Sequence, residues 1–156
     1  MRRSFFVSHH ALLMGVRSVG RPVEVRQGVP LRRWSAGDGH LWLVAVNEGI
    51  ATVAHKYEGT FEVPVRDVRL RLCSMERVRE RQMRDLILGS VDPSDVFVTA
   101  DRLADLRASL ASKRDRFAWE CAVEGICLMA EDPAWMRSSG WPRAFILTAV
   151  DAIQDM

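Results

Sequence analysis

The sequence predicts an α+β fold, in which a strand-rich first half precedes a helical second half. Three observations predict it. Residues 21–72 alternate apolar and polar side chains between Gly, Pro and Asn punctuation. From Ser74 onward the apolar residues recur every three or four positions instead. The composition, 48% hydrophobic and 27% charged, belongs to a chain that can bury a core.

Arg21 to Arg26 reads as a half-buried strand with Val23 and Val25 on one face. A long loop follows, punctuated by Gly28, Pro30, Gly37 and Gly39. His40 to Val46 reads as a more fully buried strand. Asn47-Glu48-Gly49 is a tight-turn signal, and Ile50 to Lys56 completes a hairpin. After a turn at Tyr57-Glu58-Gly59, Thr60 to Leu72 alternates through Phe61, Val63, Val65, Val68 and Leu70. Pro64 has no N–H to give to a ladder, so an edge, a bulge or a break is expected near Val63.

Four or five short strands lie within about fifty residues. Together with the long first loop, the Trp42-bearing strand, the hairpin and the turn Val63-Pro64-Val65-Arg66-Asp67-Val68-Arg69, they resemble an SH3-like barrel. The resemblance implies a small, strongly bent antiparallel sheet over residues 21–73, and no single function. Some barrels of this kind, the Tudor- and chromo-like ones, cage a methylated cation with clustered aromatics. Here Trp42 and Phe61 are expected to fill the barrel, with Trp34 and Tyr57 covering its ends.

Residues 74–156 are expected to form a helical module of about four helices packed on the β module. Met75 to Leu88 reads as a helix capped by Ser74 and ended by Gly89. Its apolar side is Val78, Met83, Leu86 and Ile87, with Glu80–Arg84 and Arg81–Asp85 as pairs one turn apart. Val91 to Thr99 reads as a connection with a short strand at Val96–Val98. Thr99 or Asp101 then caps a helix carrying Leu103, Leu106 and Leu110. A polar kink at Ser112–Asp115 leads into Phe117 to Ala130, apolar on nearly every side and so central. Asp132-Pro133 is an N-cap followed by Pro at the first helical position. Pro142 opens a last helix after the Ser138-Ser139-Gly140 loop, which Trp135 and Trp141 flank.

The net charge of +2 conceals an asymmetry. Residues 1–90 carry +6 and residues 91–156 carry −4. Such a split marks either a polyanion-facing surface or two halves that attract one another. Cys73, Cys121 and Cys127 have no paired spacing and read as free thiols of a reducing compartment. The expected location is cytoplasmic. The segment 1–20, with Arg2, Arg3 and Arg17 and no acid, also has the composition of an organellar targeting sequence. No apolar run reaches the ~18 residues of a membrane span.

No phosphate-cradling, dinucleotide, nucleophile-elbow or zinc-protease motif occurs, and no cofactor motif. Glu120 and Glu124 stand one turn apart, but di-metal bundles use a Glu-x-x-His pattern and no His follows His55. The expectation leans away from an enzyme, though a small enzyme with a site assembled from distant residues is a third reading. The first is a non-enzymatic module that contacts nucleic acid. Its candidate surface is Arg21, Arg26, Arg32 and Arg33 with the stacking plane of Trp34, and Arg77, Arg81 and Arg84 on one helix face. The second is a protein adaptor or inhibitor, of the kind mobile elements encode. It would act through an exposed face such as Trp135 with Trp141, or by homodimerisation.

Overall fold

The computed structural model describes residues 22–26, 41–55 and 59–156. It has the α+β character that the sequence predicts, a small antiparallel sheet region followed by helices. The chain divides into two compact units, residues 1–71 and 72–156. Arg21, Arg32, Arg33, Trp34 and Tyr57, and the whole segment 1–20, lie outside the described residues.

The first unit contains β1 (Val23–Val25), β2 (Leu41–Asn47), β3 (Ile50–His55), β4 (Gly59–Pro64) and β5 (Val68–Leu70). β2, β3 and β4 form an antiparallel meander, and β1 pairs antiparallel with β5. A bridge between Pro22 and Trp42 links the two sheets. The β2–β3 turn places Glu48 at φ 53° and Gly49 at φ 80°. Two successive left-handed residues make the turn whose twist matches that of its strands, and glycine suits the second position. The register slips between Leu43 and Ala45, which lets both Leu43 and Val44 be buried.

The alternating run 60–72 is interrupted as Pro64 predicts. β4 ends there, and a 3-10 turn, Val65–Asp67, leads into β5. Asp67 is buried and fastens this corner. Its carbonyl accepts from Arg26 N at 2.8 Å, and its carboxylate lies 2.8 Å from Arg26 Nη2. Val23, Leu41, Val46, Val53, Val65 and Val68 are nearly inaccessible and form the core. Each contributes about 1.5–3 kcal/mol by leaving water.

The second unit contains five helices: α1 (Ser74–Gly89), α2 (Val96–Ala108), α3 (Lys113–Ala130), α4 (Pro133–Ser138) and α5 (Arg143–Gln154). α3 is central as expected, packing against α1, α4 and α5, while α2 packs on α5. Ile87, Leu103, Ile126, Leu128, Met129 and Ile146 are fully buried between them.

Several local expectations are corrected. Cys73, not Ser74, occupies the N-cap of α1, because Glu76 at the third helical position reaches back to accept from Cys73 N at 2.8 Å. Val96–Val98 is the first turn of α2 rather than a strand. Asp95 caps it, accepting from Phe97 N and Val98 N at 2.9 and 3.1 Å. Thr99 is not a cap but a buried tie. Its hydroxyl accepts from Asp92 N at 2.8 Å and lies 3.1 Å from Asp95 O. At Ser112 the chain does not kink but starts a new helix, the Ser112 hydroxyl accepting from Asp115 N at 3.0 Å. Asp132 caps α4 ahead of Pro133, and Pro142 precedes α5, as the sequence suggests.

Candidate functional site

Helix α1 carries two apolar sides rather than the single one expected from sequence. At about 100° per residue, Glu80, Met83 and Ile87 share the side that is buried. Met75, Val78, Gln82, Leu86 and Gly89 run along a second line, well away from the first. Met75 is 62% exposed, Val78 57% and Leu86 50%. Leaving about half of each side chain in water forgoes roughly 1 kcal/mol of burial apiece. Val78 and Leu86 therefore do not serve the core of this unit as the sequence suggests; Met83 and Ile87 do.

What holds α1 to the bundle also fixes this outer line. Glu80 is buried against α3, where Gly125 leaves the space. A Cβ on Gly125 would stand 2.6 Å from Glu80 Oε1. Burial raises the pKa of Glu80, and Arg84 beside it opposes the shift. Arg84 Nε lies 3.3 Å from Glu80 Oε1, and the guanidinium carbon sits 5.2 Å above the Trp135 ring. One residue on, Asp85 accepts from Trp141 Nε1 at 3.0 Å, and Trp141 tilts at 40° against Phe145. The two tryptophans thus grip the C-terminal half of α1 from α4 and from the approach to α5.

A groove of about 430 Å³ adjoins the outer line at Met75. Its floor is Phe117, Ala118 and Cys121, and Arg79, Lys113 and Arg114 also line it. Asp115 lies 3.8 Å from Arg79. Glu76 lines the groove too, but its carboxylate is occupied by the Cys73 amide and thiol, which hold its pKa down.

The residues that the sequence singles out are distributed as follows. Of the proposed basic surface of the first unit, only Arg26 is described, 68% exposed and paired with Asp67. Arg77 and Arg81 are exposed on α1, and Arg77 Nε donates to Leu72 O at 3.0 Å. Arg84 leaves that face, with its side chain only 13% exposed between Glu80 and Trp135. Trp135 and Trp141 are half-buried and partnered, not one exposed plate. Sequence reasoning missed the Met75–Val78–Leu86 line, although its spacing was visible. The two apolar lines of α1 look alike until tertiary packing chooses between them.

Among the described residues, no group of three or more His, Cys, Asp or Glu is placed to hold a metal ion. None of the described helices is long and apolar enough to cross a membrane. Compared with known proteins, the chain matches no family model, no curated protein and no solved structure.

Proposed function

We propose that the chain is a non-enzymatic protein-binding module, and that the outer line of α1 receives its partner. One observation carries this reading: Met75, Val78 and Leu86 stand at least half exposed in a row on a helix that is otherwise firmly packed. An apolar stripe on a rigid helix, bordered by charges, suits helix-to-helix docking. The partner would gain apolar burial without α1 having to order itself first.

The test compares the full chain with a Val78→Glu/Leu86→Glu variant as bait in an extract of its source cells. Both positions are half exposed, so the variant keeps the fold, which circular dichroism checks. Proteins retained by the native chain should be lost by the variant. Identical retention by both baits refutes the reading.

Nucleic-acid binding is the second reading, supported by the exposed guanidinium groups of Arg26, Arg77 and Arg81 and by the +6 charge of residues 1–90. Retention on DNA or RNA should then fall steeply with salt and weaken in an Arg77→Ala/Arg81→Ala variant. Salt-independent retention, or none, sinks it. For the first unit we keep the SH3-like barrel as a proposal, supported by the β2-β3-β4 meander, the β1–β5 pair, the Pro22–Trp42 bridge and the 3-10 turn before β5. A cytoplasmic location is likewise proposed, on the strength of the buried thiols of Cys121 and Cys127.

A further inference from the structure

We infer that the occupant of the α1 outer line is a second copy of this chain, with the two α1 helices antiparallel about a two-fold axis at Gln82. This inference rests on the protein-binding reading and names its partner.

Self-complementarity carries it. In an antiparallel pair centred on Gln82, residues equally far from 82 on either side face one another. Val78 then faces Leu86 of the second copy, so the two exposed aliphatic residues cover each other twice over. Gln82 faces itself, and its amide, with both donor and acceptor, can bond to its own copy. Met75 faces Gly89, the longest apolar side chain of the line against the residue with none. Packing within the chain does not demand a glycine at 89. A Cβ there would meet only Trp141 at 3.8 Å, an ordinary contact. The bare backbone instead leaves a hollow for the Met75 thioether.

The charges bordering the line match as well. Arg81 and Asp85 lie on the same flank, both exposed. The two-fold axis keeps each flank on its own side. Arg81 of one copy therefore meets Asp85 of the other at heights differing by two residues, about 3 Å. Asp85 uses Oδ1 for Trp141, which orients its carboxylate. On the opposite flank the two Arg79 side chains are about 9 Å apart along the axis, and each has Asp115 at 3.8 Å to offset its charge. One 16-residue helix buries less than a standard interface, so the dimer is weak and concentration-dependent, with a Kd on the order of 100 μM.

Sedimentation of the full chain, from about 1 μM to 1 mM, reads this directly. The weight-average mass should climb from 17.7 kDa toward twice that value. Leu86→Glu enters the contact twice in a symmetric pair and should weaken it by roughly a hundredfold or more. Gln82→Cys, in a Cys73→Ser background, should be captured as a covalent dimer by a mild oxidant, because the axis brings the two sulfurs together. A mass fixed at monomer across the range overturns the inference. So does a Gln82→Cys chain that never cross-links. A dimer indifferent to Leu86→Glu uses another face and refutes the inference. A monomeric chain whose extract partners are still lost by Val78→Glu/Leu86→Glu refutes the second copy alone and leaves the protein-binding reading standing.

Discussion

Replacing Gly125 by Ala should destabilise the native chain, yet stabilise it once Glu80 is gone. The added Cβ would lie 2.6 Å from Glu80 Oε1, where ordinary contact begins at 3.4 Å. The carboxylate must retreat by about 0.8 Å, away from a position where Arg84 pairs with it and α3 buries it. Overpacking of this kind costs about 1–3 kcal/mol. Ala in place of Gly inside a helix returns about 1 kcal/mol, leaving a net loss of about 1 kcal/mol. In a Glu80→Ala background the obstacle is absent and only the propensity gain of about 1 kcal/mol remains. The double-mutant coupling is then about 2 kcal/mol. Urea unfolding of the four chains, followed by helical circular dichroism, measures it. Equal stabilisation by Gly125→Ala in both backgrounds would refute the packing described for Glu80.

Two further predictions concern titration and reactivity. Burial holds the pKa of Glu80 above its ordinary 4.5, so the folded chain binds that proton more tightly than the unfolded one. The group's contribution is full below pH 4.5 and is lost as pH rises through the folded value. Glu80→Gln, neutral throughout, should therefore gain on the native chain as pH climbs from 4.5 toward neutrality in a urea series. A pH-independent difference contradicts the assignment. Among the thiols, Cys73 is exposed while Cys121 and Cys127 are buried. Alkylation of the native protein, located by peptide mass, should modify Cys73 at least about tenfold faster; comparable rates at all three would contradict the packing of α3.

Local chemistry explains what the sequence revealed and what it concealed. The hairpin at Glu48-Gly49 and the break at Pro64 follow from backbone properties of single residues, so they were legible. The division between alternating and helical periodicity was legible for the same reason. Caps were harder. Ser74 looks like the better cap, but Glu76 selects Cys73 because only that residue stands three positions before it. Val96-Phe97-Val98 has strand-like composition, and Asp95 overrides it by satisfying the first two helical amides. The Glu80–Arg84 pair was legible from its one-turn spacing, but the Trp135 ring that closes over Arg84 was not, because it lies far along the chain. Sequence spacing groups Arg84 with Arg77 and Arg81; Trp135 and Glu80 remove it from them. The outer line of α1 was present in the spacing but indistinguishable from a core-facing one, since burial is a property of the fold rather than of the helix.

The central claim, that a second copy covers this outer line, is tested most directly by the oxidation of Met75. Peroxide converts an exposed Met to its sulfoxide, and Met83 and Met129, both buried, serve as slow internal controls. Measured on the full chain well below and well above the association range, Met75 should oxidise rapidly when dilute and be protected when concentrated, with the two controls slow throughout. Rapid oxidation of Met75 at both concentrations would contradict the account.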